Sequence, residues 1–314
     1  MNKRTLLGLC AGALLSVSAH AADFINVLTG GTSGVYYPLG VSLSQIYGKA
    51  LPNAKASVQA TKASSENLNL LQAGRGEVGF SLGDAFSDAW KGDEEAGFKT
   101  PLKKLRTLAA IYPNHIQIVA AADSGIKTLA DLKGKRVAVG APKSGTELNA
   151  RNIFKAAGMS YKDFAKTEYL PFGESVELIK NRQLDATLIS AGLGVAAVRD
   201  LATAVKIVIV PVPADVVAKV GDPAYQSGAI PANTYNGQTE EVATVAIQNF
   251  LVTHEGVPAD TVYAMTKSMF DNLDQMVAAH AAAKAIKKEN AFKAPPAPLH
   301  PGAEKYYREA GLIK

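Results

Sequence analysis

From residue 24 to about 210, short apolar runs of strand length alternate with longer runs of helical periodicity. FINVL (24–28), ASVQA (56–60), EVGFSL (77–82) and KRVAVG (135–140) read as strands. VSLSQIYGKAL, ENLNLLQAG and residues 146–157 read as the helices between them, and TEYLPF, SVELIKN, LDATLIS, GVAAVRDLA and VKIVIV continue the alternation. Such a pattern predicts parallel sheet covered by helices, an α/β fold. From about residue 239 the chain reads as mostly helical, closing on the Pro-rich APPAPLHPG.

Two stretches look like passages between lobes. In one, 111–116, the extended runs LRTLAAIY and HIQIVAAA meet across Pro113-Asn114. In the other, VKIVIVPVP (205–213), a strand ends in prolines. Two passages make a hinge, and small ligands usually bind in the cleft beside one. The expected organisation is a discontinuous lobe I of residues 22–113 and 211–314, with residues 114–210 as lobe II. One continuous doubly wound domain is the alternative.

Residues 1–21 stand apart. Lys3 and Arg4, an apolar stretch and Ala19-His20-Ala21 form a secretory signal peptide, which predicts export to the periplasm. The only cysteine, Cys10, lies inside it behind Leu9, too large for a lipoprotein signal. The formal charge of +5 falls to +3 once Lys3 and Arg4 are removed. That mild charge, without basic runs interleaved with aromatics, argues against nucleic acid. Past the signal, His115, His254, His280 and His300 show no metal-ligand spacing. Neither a metal nor a cofactor is expected.

The strand ends carry the candidate chemistry. Gly30-Gly31-Thr32-Ser33-Gly34 follows the first strand, with Tyr36 and Tyr37 just beyond. Thr61-Lys62-Ala63-Ser64-Ser65-Glu66-Asn67 follows the second, and Gly83-Asp84 the third. Lys143-Ser144-Gly145-Thr146 and Ala191-Gly192-Leu193-Gly194 follow later strands. Ligands of open α/β sheets sit outside the carboxyl ends of the strands, where helix N-termini offer free amides and positive partial charge. Glycine admits the backbone and hydroxyls add directed bonds, so these loops suit a small carboxylate or phosphate. Any one of these loops alone reads more readily as a helix cap, and it is their number, drawn from both proposed lobes, that points to a shared ligand site. The tyrosines read as a wall of the site or as core. Lys62 and Lys143, one in each proposed lobe, read either as solvated side chains or as a pair facing a dianion across the cleft.

Enzyme motifs come close and miss. In Gly140-Ala-Pro-Lys-Ser-Gly145-Thr146 a P-loop would need lysine at position 146. Gly192-Leu-Gly194-Val-Ala-Ala197 satisfies a dinucleotide fingerprint and leaves an NAD-type enzyme as an alternative of another class. No nucleophile or acid–base pair stands out, so the chain is expected not to be an enzyme.

Five stretches together resemble the TAXI family of solute-binding proteins, the periplasmic receptors of tripartite ATP-independent periplasmic (TRAP) transporters. They are GGTSGVYYPLG, ATKASSENLNLLQAGRGEVGF, LADLKGKRVAVGAPKSGTE, IPANTYNGQTEEVATVAIQNFLV and APLHPGAEKYYREAGL, in chain order over nearly the whole mature length. The resemblance implies a two-lobed type II periplasmic-binding fold that closes on glutamate, glutamine or a 2-oxoglutarate-like acid and docks on a fused membrane permease. A monomer is expected, and a sensor kinase is the alternative partner. The family's ligand loops correspond here to residues 32–37, to Ser64, Ser65 and Asn67, and to residues 144–146. This chain departs from many relatives at Leu82-Gly83-Asp84, where they read Gln-Ser-Asp, and at Lys62, where they carry a small residue. Both departures lean toward an acid over an amide.

Overall fold

The computed structural model describes residues 24–314, so the signal-peptide reading of 1–21 lies outside the described residues. Three strand–helix units come first: β1 (Phe24–Leu28), α1 (Tyr36–Ala50), β2 (Lys55–Gln59), α2 (Ser64–Gln72), β3 (Val78–Leu82) and α3 (Gly83–Lys91). The long β4 (Leu105–Ala121) leads to β5 (Arg136–Ala138), α4 (Gly145–Ala156), β6 (Lys166–Glu168), α5 (Phe172–Lys180), β7 (Ala186–Ala191) and α6 (Ala196–Ala204). Then come β8 (Ile207–Val210), α7 (Ala214–Val220), β9 (Gln226–Ile230) and β10 (Val242–His254), and finally α8 (Ala259–Asp271), α9 (Leu273–Ala279) and α10 (Pro301–Glu309).

The strands join in the order β2-β1-β3-β10-β4-β7-β5-β6, with β8 also on β4 and β9 also on β10. β1 runs parallel to β2 and β3, and β5 parallel to β6 and β7, the geometry that strand–helix alternation demands. β10 is antiparallel to β3, β4 and β9. Lobe I gathers β2, β1, β3 and the ends of β10 and β4 that pair through Phe250↔Ala110. Lobe II gathers β7, β5, β6, β8 and β9 around the opposite ends of the same two strands.

The two extended runs around Pro113 are one strand of 17 residues. Proline gives no amide to a ladder and is tolerated where pairing is irregular. Pro113 stands opposite Gln248, and the register of β10 slips between Gln248 and Phe250. The second passage differs from the sequence reading. Residues 207–210 pair with Ile118–Ala121 at the far end of β4, and the Val212 amide donates to the Ala243 carbonyl at 2.9 Å. The chain therefore remains in lobe II until β10 itself carries it back, between Ala246 and Asn249.

β10 corrects the helical reading after residue 239. VATVAIQNFLVTH is buried along both faces, Leu251 entering one apolar cluster and Phe250 and Val252 the other. A strand covered on both sides loses the alternation that would reveal it, and only its β-branched residues hint at its state.

Candidate functional site

Four loops end at the N-termini of α1, α2, α4 and α5, and all four meet at one cavity of about 110 Å³ between the lobes. Val35, Ala63, Ser144 and Pro171, the residues just before those helices, all line it. First-turn amides have no partner inside their own helix, and each helix start carries positive partial charge. In α4 the Ser144 hydroxyl accepts the Glu147 amide at 3.1 Å, which leaves the preceding amides of Gly145 and Thr146 outside the cap. In α2 the Ser64 hydroxyl accepts the Leu82 amide at 3.1 Å, which fixes the loop against β3. Ala63 enters its helix at φ 66°, a left-handed setting that a side chain tolerates poorly.

Of the residues singled out in sequence, the cavity gathers Gly34, Tyr36, Lys62 and Ser64 from lobe I with Ser144 and Thr146 from lobe II. Tyr36 is wall and core at once. It stacks on Phe80 with centroids 4.9 Å apart, and its hydroxyl donates to Asn249 Oδ1. Burial holds that phenol far above its ordinary pKa.

The floor is a polar chain that the sequence did not disclose. Asn249 donates to Asn114 Oδ1 at 2.7 Å and to the Tyr112 carbonyl at 2.8 Å, and Asn114 donates to the Ser190 carbonyl at 2.8 Å. Tyr112, Asn114 and Ser190 line the cavity with Phe172 and Pro171. They come from β4, β7 and the start of α5, and no local motif marks them. The one available signal was Asn114 beside Pro113, a polar residue inside an apolar strand.

Other predicted residues do different work. Thr32 and Ser33 line a more open groove that adjoins the cavity through Gly31 and Pro171, with Leu170, Gly173 and Glu174. Asn67 is fully buried, donating to the Thr29 and Phe80 carbonyls at 2.7 and 2.9 Å and accepting from the Thr61 hydroxyl at 2.6 Å. It ties three strand ends together and has nothing left for a guest. Tyr37, Ser65 and Lys143 stand outside the lining, and Lys143 is exposed in a left-handed turn at φ 60°. Of the proposed lysine pair, only Lys62 reaches the cavity. Gly145 is where the lobes touch: a Cβ there would lie 2.5 Å from Ser64 Oγ. Gly192 packs against Tyr112 and Ala282, and the Gly194 amide donates to the Tyr235 hydroxyl at 2.9 Å. The dinucleotide fingerprint thus lacks both the bare approach and the free amide that a pyrophosphate needs.

Asp84 turns away from the cavity and joins the lobes behind it. Its Oδ2 accepts from Asn149 Nδ2 at 2.6 Å and from the Tyr225 hydroxyl at 2.7 Å. Burial pushes its pKa up to about 6, and the Tyr225 hydrogen bond opposes that rise. Among the described residues lining the cavity, Lys62 is the only charged side chain.

The sequence model of the NMT1-like family matches residues 27–311. Among solved structures, a protein described as an L-cystine ABC transporter candidate from Listeria monocytogenes is 16% identical. It has a TM-score of 0.52 over 84% of this chain and 98% of that one. An ancestral arginine-binding protein bound to arginine is 16% identical, with a TM-score of 0.50 over 83% of this chain and 97% of that one. The alkanesulfonate-binding protein SsuA from Xanthomonas axonopodis pv. citri, bound to MOPS, is 15% identical, with a TM-score of 0.50 over 92% of this chain and 85% of that one. What they share with this chain is the two-lobed α/β architecture of periplasmic binding proteins. Among the described residues, no helix is long and apolar enough to cross a membrane.

Proposed function

The chain belongs to the NMT1-like family, and from that premise we propose that it is a periplasmic solute-binding receptor that captures a small organic acid between its lobes and hands it to a membrane permease. The observation that carries this reading is the meeting of four helix N-termini from both lobes at one cavity. A guest bridging Ser64 and the α2 amides to Ser144 and the α4 amides binds the closed arrangement better than an open one, and that difference drives closure. Exclusion of water strengthens each of those hydrogen bonds. No bond is made or broken.

The resemblance to TAXI receptors supports a TRAP permease as the partner and glutamate- or 2-oxoglutarate-like acids as the starting range of ligands. The fold shared with the Listeria protein favours a second reading for the partner alone, an ABC importer. Uptake into vesicles carrying the receptor and its permease separates the two: collapse of the ion gradient stops a TRAP system, and ATP depletion stops an ABC system.

The receptor itself is tested by mass spectrometry of the solute that co-purifies with the protein, together with small-angle scattering. A stoichiometric organic acid, and a smaller radius of gyration when it is restored to stripped protein, is the expected result. A protein that carries no solute and keeps the same scattering curve in every candidate acid is not a receptor.

A further inference from the structure

We infer that Asp84 is a proton latch between the lobes: closing takes one proton from solvent onto its carboxyl, opening returns it, and the receptor therefore closes more readily in acid. This rests on the receptor reading and adds a regulation to its cleft.

The geometry comes first. Asp84 opens α3 in lobe I and is 1% exposed. Both of its side-chain partners belong to lobe II: Asn149 on α4, and Tyr225 just before β9. Asn149 Nδ2 and the Tyr225 hydroxyl donate to the same oxygen, Oδ2. Asp84 Oδ1 and Asn149 Oδ1 are buried at this contact with no donor. Two acceptors shut away from water without a donor are costly, and the contact is short of a hydrogen. A proton supplies it, because a carboxylic acid donates as well as accepts. A half-turn of the Asn149 carboxamide exchanges its oxygen and nitrogen. The oxygen then stands 2.6 Å from Asp84 Oδ2, within the range of an acid O–H donating to an oxygen. The other carboxyl oxygen no longer carries charge.

The surroundings do not offset the ionised form. Asp222, from the lobe II loop that also carries Tyr225, repels it. Asp88, one turn along α3, lies under the same influence, with Asp93 adding to it and Lys91 opposing. On α4, Arg151 is taken by Glu147 at 2.7 Å and by the Glu95 carbonyl at 2.5 Å. Lys103, behind the end of α3, sits 4.3 Å over the Trp90 ring. The Tyr36 phenol of α1 stays protonated through burial. α2 carries only Glu66, which accepts the Lys62 amide at 2.5 Å, β3 has no ionisable side chain, and β10 has only His254 at its far end. Parting the lobes removes Asn149, Tyr225 and Asp222 together and lets water reach the carboxylate. The closed protein thus holds the proton up to about pH 6, and the open one releases it near the ordinary value of about 3.9. The contribution to closure is complete below the lower value and is lost as pH rises through the upper one. For that pair of values the closed-to-open ratio falls about tenfold from pH 5 to pH 8.

Residues 24–314 contain no cysteine, so Lys49→Cys and Lys155→Cys, at exposed positions near the ends of α1 and α4, put one spin label on each lobe. Distances between them are measured by pulsed dipolar spectroscopy from pH 5 to pH 8 on protein stripped of solute. The parent distribution should move toward the separation in this structure as pH falls, with far-ultraviolet circular dichroism unchanged. Asp84→Asn, an uncharged mimic of the acid, should stay near the parent's pH 5 distribution throughout. Tyr225→Phe removes the donor that opposes the effect of burial, so its midpoint should move to higher pH. A parent distribution that is the same at pH 5 and pH 8 overturns the latch. So does an Asp84→Asn protein that shifts as far as the parent, or a Tyr225→Phe midpoint at or below the parent's. No solute enters these measurements, so the receptor reading stands or falls separately on what co-purifies.

Discussion

Two buried polar contacts join the lobes, and they differ in what they leave open. Behind the cavity, Asp84 meets Asn149 and Tyr225, and Asn149 and Asn152 each also donate to the Tyr225 oxygen at 3.0 Å. One carboxylate oxygen is supplied by the protein, while Asp84 Oδ1 and Asn149 Oδ1 are buried there without a partner, and no open space separates the two lobes at this contact. In the cavity, strand-tip hydroxyls and helix-start amides face one another with space between. The first contact holds the lobes together with no guest, and the second gains only when a guest arrives. A receptor built this way divides closure between a fixed contribution and a conditional one, so that ligand binding shifts an equilibrium already near balance.

The largest expected effect breaks the conditional contact. Gly145→Val places a side chain where a Cβ would already sit 2.5 Å from Ser64 Oγ and 2.7 Å from Leu82 Cδ1. The clash lies between lobes, so each lobe keeps its own core. Affinity for the co-purified solute should fall more than a hundredfold and scattering should report a wider molecule, while far-ultraviolet circular dichroism is unchanged. Full affinity in this variant would show that the lobes do not close at Gly145, and the contrast drawn here would collapse.

A smaller effect isolates the fixed contact. Asp84 has a pKa of about 6 in the folded protein, raised by burial above the ordinary value of about 3.9. A carboxyl whose folded pKa is raised binds a proton that the unfolded chain releases between those two values. Its stabilising contribution is complete below about pH 4 and is lost as pH rises through about 6. Asp88, facing the same group from the next turn of α3, is itself pushed up to about 7 by burial and by Asp84, Asp93 and Asp222. Asp84→Asn should therefore flatten the fall in stability between pH 4 and 6. It should gain on the order of 3 kcal/mol over the parent at pH 8, and leave a residual slope from Asp88 displaced to lower pH, because the Asp84 charge no longer raises that carboxyl. Urea unfolding across pH 4 to 8 measures this. Parallel curves for parent and variant would place the ionised carboxylate in a far better solvated site than the structure gives it.

The same contrast explains what was readable from residues alone. Strand–helix alternation through residue 210 marks the parallel units, because helices must cover such strands and their polar faces keep the period visible. The ends of β1, β2 and β5 are legible because free helix starts there need small, hydroxyl-bearing neighbours. β10 was hidden by burial on both faces, and with it the true return between lobes. Asn67 and Asp84 resemble Ser64 and Ser144 in sequence, each a polar residue at a strand tip. What separates them is whether folding leaves them facing the cavity, as it leaves Ser64 and Ser144 but not Asn67 and Asp84, and no window of residues contains that. Tyr112, Asn114 and Ser190 were missed for the converse reason: they sit inside apolar strands, and only the hinge turns them toward a common space.

The smallest effect sharpens the comparison at the two lysines. Lys62 lines the cavity, and Lys143 does not. Lys143 instead holds φ 60°, a setting glycine adopts freely and a lysine only with strain. Lys143→Gly removes one charge from lobe II and relaxes that turn. Solute affinity should stay within twofold of the parent. Stability should rise by a few tenths to about 1 kcal/mol, because the strain relieved slightly exceeds the added freedom of the unfolded chain. A drop in affinity of tenfold or more would bring Lys143 to the guest during closure. The two loops would then be symmetric in function as they are in sequence, and a second anionic group on the ligand would have its partner.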